Sequence, residues 1–190
     1  IGCFSAHPLK NLNACGDAGF LTTDNSDIAR QVRLSRNHGL ADRNAVEQFG
    51  NVSRMDSLQA AILEYRLSRL ALLIDRRRNN ADMYRDLLDS SHIYIPEERN
   101  EEFNTYHTFV IQCDKRDELQ QYLLEKGIET VIHYPIPIHL QPAASSLGYS
   151  KGDFPVSETQ SERILTLPIH PYLQEDTIIQ ISNCINTFFN

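Results

Sequence analysis

A helical repeat of apolar residues occupies the middle of the chain. Between Gly50 and Pro96 there is neither glycine nor proline, and apolar residues recur at intervals of three, four and seven positions. They are Leu63, Leu67, Leu70, Ile74, Ala81, Tyr84 and Leu88. Because these intervals keep the residues on one face, they predict a single long helix that begins at Asp56 or Ser57. The charged run Arg76 to Arg78 interrupts the stripe and predicts a solvated helix face.

The residues before this helix predict two strands, their connection and a short helix. Residues 19–23 are typical of a short strand, Asn25 can cap a helix, and Gly39 is placed to end it. Two strands do not form a stable sheet alone in water. The chain also opens at Ile1 without an initiator methionine. We therefore expect it to be part of a longer protein whose sheet is larger.

The residues after Pro96 predict alternating strands and helices. Strands are expected over 106–111 and 128–134, because both segments are rich in β-branched and aromatic residues. A helix capped by Asp114 and stopped at Gly127 lies between them, and a last helix begins near Glu175. The pattern predicts a small α/β domain of about 90 residues.

Composition excludes several classes of partner. The 190 residues include 18 Lys+Arg and 25 Asp+Glu, for a net charge of -7, which argues against a general nucleic-acid or anionic-membrane binder. No apolar run approaches the roughly 20 residues of a membrane span. The four cysteines are far apart and form no C-x-x-C pair, so we expect reduced thiols and a cytoplasmic location.

The first candidate for chemistry is the connection between the two N-terminal strands. Lys10 is flanked there by Pro8, Leu9 and Leu12, and a Gly-Asp-Ala-Gly turn follows at residues 16–19. An apolar setting lowers an ammonium pKa and frees the amine as a nucleophile, as a Schiff-base lysine requires. An exposed loop lysine is the alternative reading of the same residues. The order of residues is not that of a P-loop.

The second candidate is a proline-braced loop at 132–142. It carries His133, Tyr134, His139 and Gln141 on a stiff backbone that can direct polar groups into a cleft. No carboxylate or third histidine accompanies the two histidines at helical spacing, so a metal site is not predicted. Histidines that bond to neighbouring loop groups are the simpler interpretation.

Taken in order, these segments resemble the DegT/DnrJ/StrS family of pyridoxal-phosphate (PLP) sugar aminotransferases. The resemblance covers essentially the whole chain but only the C-terminal half of such an enzyme. It rests on Ser5-x-His7-Pro8-x-Lys10-Asn11-Leu12, Gly16-Asp17-Ala18-Gly19, Arg36-Asn37-His38-Gly39, Ser53-Arg54-Met55-Asp56-Ser57-Leu58-Gln59-Ala60-Ala61, Tyr106-His107-x-Phe109, His133-Tyr134-Pro135-x-Pro137-x-His139-x-Gln141 and Ser161-Glu162-x-Ile164-Leu165-x-Leu167-Pro168.

The fold that the resemblance implies is α/β, the C-terminal part of a fold-type I PLP-dependent transferase. Residues 1–55 would be the end of the large PLP-binding domain, with the lysine segment. Residues 56–95 would be a long connecting helix, and residues 96–190 the small C-terminal α/β domain.

The resemblance also implies roles for individual residues. Lys10 would form the internal aldimine with PLP and then move the proton between the donor's α-carbon and the cofactor. Ser5 matches the serine that hydrogen-bonds the cofactor phosphate. The family's asparagine comes from G-x-N-x-R, whereas here the order is Gly50-Asn51-Val52-Ser53-Arg54, so Asn51 stands one residue early. Relatives that are dehydratases carry histidine in place of Lys10.

The substrate side is implied in the same way. His133 and Tyr134 match positions at the edge of the cleft that receives the nucleotide-linked sugar, and an amino acid, with glutamate expected, would be the amino donor. A homodimer is expected for the full-length enzyme. The rival hypothesis is a truncated, non-catalytic folding or dimerisation module that does not bind PLP by itself.

Overall fold

Residues 1–190 are described by a computed structural model, in which they form two units, Ile1–Leu72 and Leu73–Asn190. The first unit contains the strands β1 (Gly2–Ser5) and β2 (Gly19–Thr22) and the helices α1 (Ser26–Ser35) and α2 (Ser57–Leu67). A third helix, α3 (Leu70–Leu87), begins in the first unit and continues into the second.

The two predicted N-terminal strands form an antiparallel pair. Phe4 of β1 lies opposite Phe20 of β2, and their rings stack with centroids 5.0 Å apart. Such cross-strand aromatic pairs stabilise a short ladder. The prediction of strand, connection, strand is confirmed, and the connection between them contains Lys10.

Helix α1 begins and ends as its sequence predicts. The side chain of Asn25 accepts hydrogen bonds from the backbone N–H groups of Asp27 and Ile28, at 2.9 and 3.0 Å. At the other end Gly39 has φ 73° and its N–H bonds to Leu34 O at 2.8 Å. A Cβ on Gly39 would overlap the backbone oxygen of Gln48, so no other residue fits at this helix end.

The prediction of a single long helix is wrong. The segment forms α2 and α3, with a break at Ser68 and Arg69. The Ser68 hydroxyl donates to Tyr65 O at 2.8 Å, and the Arg69 N–H bonds to Arg66 O, three residues back. Local side-chain bonds of this kind compete with helical ones, whereas the apolar stripe is compatible with either arrangement. The division at 1–55, 56–95 and 96–190 stays a prediction, and the boundary between the units lies within its middle segment.

The second unit is built on a three-stranded antiparallel sheet in the order β3-β4-β5. Its elements after α3 are β3 (Ile93–Tyr94), β4 (Phe109–Cys113), α4 (Arg116–Glu125), 3-10 helices at Ile138–Leu140 and Pro142–Leu147, α5 (Pro155–Arg163), β5 (Ile164–Leu167) and α6 (Glu175–Phe189). The predicted last helix is confirmed.

One apolar core holds the second unit together. Strand β4 buries Phe109, Ile111 and Cys113 and leaves the intervening residues half-buried, which is the two-residue alternation of a strand with one buried face. Helix α6 contributes Ile178, Ile181 and Ile185 at helical spacing. The other core residues are Ala81, Tyr84, Leu88, Ile93, Tyr106, Leu119, Leu123, Ile128, Leu165, Leu167 and Ile169.

The predicted strands of this unit need correction. The strand expected at 106–111 begins three residues later, because Tyr106 has φ 44° and Arg77 bonds its carbonyl. No strand forms at 128–134. Val131 makes one bridge to Thr166, and Pro135 and Pro137 follow, which have no backbone N–H to donate. The third strand of the sheet is β5, which the residue pattern did not identify.

Two charge predictions are also wrong. Arg77 and Arg78 are half-buried instead of solvated: Arg77 bonds backbone oxygens, Tyr106 O among them at 3.0 Å, and Arg78 bonds Glu98 at 2.8 Å. Asp114 does not cap α4, because it pairs with Arg163 at 3.1 Å. Both cases depend on partners far along the chain.

Candidate active site

The connection between β1 and β2 folds back on itself and encloses Lys10 in a short loop. The Ala6 N–H bonds to Ala18 O and the Ala14 N–H bonds to Ala6 O, both at 2.8 Å. Ala6 and Ala14 are fully buried. The loop of residues 7–13 is therefore anchored at its two ends, and Lys10 lies in its middle.

Within this loop His7 links Ser5 to Lys10. The His7 N–H donates to Ser5 Oγ at 3.4 Å, and His7 O accepts the Lys10 N–H at 2.8 Å. The His7 ring also accepts the Leu9 N–H, at 3.2 Å on Nδ1. Two of the predicted site residues, Ser5 and Lys10, are thus both hydrogen-bonded to the backbone of His7, and Lys10 is half-buried.

Helix α2 packs against this connection through one face. Gln59, Leu63 and Arg66 are four and three residues apart, a spacing that places them on the same side. Leu63 joins the two buried alanines in the core of this unit, and Gln59 Oε1 accepts the Cys15 N–H at 2.8 Å. Sequence reasoning identified Gln59 only as part of a motif and missed Arg66, although helical spacing from Leu63 points to both.

Ser5 also lines a groove between the β1–β2 pair and α1. The groove has a volume of about 1110 Å³, and its polar lining includes Arg33, Arg36 and Ser53. Neither Lys10 nor Asn51 is among the lining residues. Asn51 is exposed on a different segment, where its N–H bonds to Ser35 O at 2.8 Å. Its predicted role toward the phosphate stays a prediction.

The donors on the lysine connection suit the two polar ends of PLP. A serine hydroxyl both accepts and donates, so Ser5 can keep its bond from His7 and still donate to a phosphate oxygen. The Lys10 amine is the group that reacts with an aldehyde. These residues therefore fit the cofactor that the resemblance implies.

In the second unit His133 and Tyr134 lie on the wall of a separate cavity of about 600 Å³. His133 Nδ1 is 3.0 Å from Thr166 Oγ1, which ties the loop to β5. Tyr134 is 73% exposed, so its hydroxyl is accessible. The two predicted substrate residues therefore lie together at one cavity, in a different unit from Lys10.

His139 of the same loop has a structural partner. Its Nε2 lies 2.9 Å from Glu158 Oε1, and both side chains are about nine-tenths buried. Glu158 also accepts the Gly152 N–H, which together with His139 and Phe154 lowers the pKa of its carboxyl group. Sequence reasoning missed Glu158, because nothing near it in the chain indicates a partner. No three His, Cys, Asp or Glu side chains lie close enough together to hold a metal ion.

Two successive α/β units, the first with a lysine on the connection between its strands, match the arrangement expected for the C-terminal part of a fold-type I PLP-dependent transferase. The chain belongs to the DegT/DnrJ/EryC1/StrS aminotransferase family, which it matches over residues 1–186. The predicted family and fold class are confirmed. None of the helices combines the length and the apolar character that a membrane span requires.

Relatives and solved structures agree with this assignment. The chain is 40% identical to the erythromycin biosynthesis sensory transduction protein EryC1 of Saccharopolyspora erythraea, covering 91% of this chain and 48% of that protein. It is 37% identical to the UDP-N-acetyl-3-dehydro-alpha-D-glucosamine 3-aminotransferase of Acidithiobacillus ferrooxidans, covering 97% and 50%. Streptomyces venezuelae DesV, solved in complex with a ketimine intermediate, superposes with TM-score 0.94 at 33% identity, covering 98% and 50%. The chain spans about half the length of these relatives, which fits the predicted C-terminal half.

Proposed function

We propose that the full-length protein is a PLP-dependent aminotransferase with Lys10 as its active lysine. It transfers an amino group from an amino acid, with glutamate as the expected donor, to a keto group on a nucleotide-linked sugar. The observation that carries the proposal is the anchored loop that holds Lys10 and, through His7, Ser5. Membership of an aminotransferase family supports it.

Ser5 and Lys10 have separate tasks in this proposal. Ser5 donates its hydroxyl hydrogen to the cofactor phosphate and fixes that end of the molecule. Lys10 would hold the cofactor through its amine. Once the amino donor has replaced it there, the Lys10 amine would act as the general base and acid that accepts and returns a proton. PLP, when bound, supplies an electron sink for the charge that develops during this transfer.

The sugar substrate is proposed from the second unit and from the relatives. The Acidithiobacillus relative is named for a UDP-linked keto-sugar, and the family contains aminotransferases of this type. His133 and Tyr134 offer an imidazole and an exposed phenol at the mouth of an apolar cavity. Groups of this kind can orient sugar hydroxyls by hydrogen bonding.

The test is the attachment of PLP to Lys10 in the full-length protein. Wild-type protein mixed with PLP and reduced with borohydride should carry one pyridoxyl group, which mass spectrometry of peptides maps to Lys10. Lys10→Ala should lose this adduct, the visible absorption of the lysine-bound cofactor and amino transfer from glutamate. Lys151→Ala removes an exposed lysine and is the matched control. Retention of the cofactor absorption by Lys10→Ala contradicts the proposal.

The rival hypothesis is that the chain is a non-catalytic module that does not bind PLP by itself. Titrating PLP into the 190-residue chain tests this by measuring whether the chain binds the cofactor. We expect weak or no specific binding, since the resemblance implies that the ring-stacking aromatic residue and the acidic partner of the pyridine nitrogen belong to the N-terminal half of such an enzyme. Tight stoichiometric binding would show that expectation wrong.

We also propose that the full-length enzyme is a homodimer and is cytoplasmic. Sedimentation tests the oligomeric state, and cell fractionation tests the location.

A further inference from the structure

Arg66, at the end of α2, is bound to the loop that contains Lys10. Its Nη1 donates to Asn13 O at 2.7 Å, to Asn13 Oδ1 at 2.9 Å and to Ala14 O at 3.3 Å. The side chain is half-buried. Three acceptors converge on one nitrogen of a guanidinium, a group that has only donors.

This contact determines which way the Asn13 amide faces. A guanidinium has only donors, so the amide oxygen of Asn13 must be the atom that faces Arg66. The amide nitrogen is then on the opposite side, where it donates to Pro8 O at 2.7 Å. The orientation of the Asn13 amide therefore follows from the hydrogen-bond donors of Arg66.

The bond from Asn13 to Pro8 closes the loop across its width. Lys10 lies between these two residues, and its N–H bonds to His7 O in a short-range turn. Turns of two or three residues can reorient without crossing a large barrier, whereas a bond from Pro8 through Asn13 to a helix connects the loop to a packed element. The lysine backbone is therefore coupled to α2 through two side chains.

We propose that Arg66 and Asn13 are positioning residues for Lys10: together they set the direction from which its amine reaches the reacting carbon. This inference rests on the proposed function. Neither side chain takes part in proton transfer. Their effect is geometric, and a misplacement of about 1 Å can cost about 100-fold in rate.

Three variants of the full-length protein distinguish the Arg66–Asn13 contact from the Asn13–Pro8 hydrogen bond. Arg66→Met removes the donor and keeps an apolar stem, while Arg66→Lys keeps the charge and part of the hydrogen bonding. Asn13→Asp keeps an acceptor for Arg66 and removes the donor to Pro8. Arg69→Met is the matched control, because Arg69 lies three residues further on and its side chain hydrogen-bonds only the Tyr65 hydroxyl, at 3.4 Å.

The first measurement needs no cofactor. Hydrogen exchange in the cofactor-free protein, followed on peptides that cover residues 8–14, should be about tenfold faster in Arg66→Met and Asn13→Asp than in wild type, because the loop opens more often. The exchange rate of Arg66→Lys should lie between those of wild type and Arg66→Met, and the exchange rate of Arg69→Met should match that of wild type. Circular dichroism confirms that each variant is folded.

The second measurement follows the half-reaction with the amino donor in a single turnover. Arg66→Met and Asn13→Asp should lower its rate constant by about 10- to 100-fold, while donor affinity changes less than about twofold. Arg66→Lys should recover part of the rate. If the contacts of Arg66 and Asn13 only stabilise the fold, their loss lowers the melting temperature and leaves this rate constant unchanged.

The outcomes distinguish the inference from the proposed function. If Lys10→Ala loses the cofactor but Arg66→Met and Asn13→Asp behave like Arg69→Met in both measurements, the positioning role is overturned and the proposed function stands. Faster exchange with an unchanged rate constant also overturns it. If Lys10→Ala keeps the cofactor, both the proposed function and the positioning role fail.

Discussion

Removing the hydroxyl of Tyr84 tests the core of the second unit directly. Tyr84 on α3 has no exposed surface, its ring stacks on Phe109 with centroids 5.0 Å apart, and its hydroxyl donates to Pro168 O at 3.0 Å. Tyr84→Phe keeps the ring and deletes only this bond. The half-buried carbonyl of Pro168, directly after β5, then loses its donor.

The size of the effect follows from these contacts. A neutral hydrogen bond of this kind contributes about 1 kcal/mol net, and an acceptor left without its donor adds to the cost, so we expect a loss of about 1 to 2 kcal/mol. For a unit of this size that lowers the melting temperature by about 4 to 8 °C. Burial raises the pKa of Tyr84, so the hydroxyl stays protonated and the loss should be the same from about pH 6 to pH 9.

Tyrosine fluorescence is a suitable probe, because the chain has no tryptophan and all tyrosines except Tyr65 lie in the second unit. Urea unfolding of the 190-residue chain would be followed at two pH values. Tyr172→Phe, which removes the hydroxyl of a tyrosine that is 59% exposed, should change stability by less than about 0.5 kcal/mol. Equal stability of Tyr84→Phe and Tyr172→Phe would refute the reasoning.

Two further predictions concern a helix cap and an ion pair. Asn25→Ala should cost about 1 kcal/mol and speed hydrogen exchange at the Asp27 and Ile28 amides, which it caps; unchanged exchange there would contradict the capping role. The Arg78 guanidinium, with a backbone N–H, lowers the pKa of Glu98 from 4.5 to about 2. Since a lowered carboxyl pKa stabilises the fold above its unfolded value, this contribution is complete above about pH 4.5 and is lost as pH falls toward 2. Glu98→Gln should therefore narrow the difference in melting temperature between pH 7 and pH 3, and an undiminished difference would exclude Glu98 as its source.

Local sequence signals predicted the ends of several helices correctly. Asn25 and Gly39 bound α1, and a positive-φ glycine at Gly127 follows α4, because caps and stops depend on residues within a few positions of each other. The lysine connection was found in the same way, from residues adjacent in the chain. Signals of this range are fully present in the sequence.

Two of the errors have a different cause. The predictions of solvated arginines and of a cap at Asp114 were wrong because these groups have partners that are distant in sequence. Arg77 reaches backbone oxygens at 106, 107 and 169, and Asp114 pairs with Arg163. Periodicity and propensity carry no information about such partners, so the positions of these groups could not be predicted.

The sequence by itself determined the family, the identity of Lys10 and Ser5 as candidates, and several helix boundaries, because motifs and caps are local. The tertiary structure decided how Lys10 is held. Arg66 and Asn13 are 53 residues apart in the chain, and their contact exists only because α2 packs its apolar face on the buried alanines of the loop. Burial of that face brings the guanidinium to the amide, and no pattern within the lysine segment indicates it.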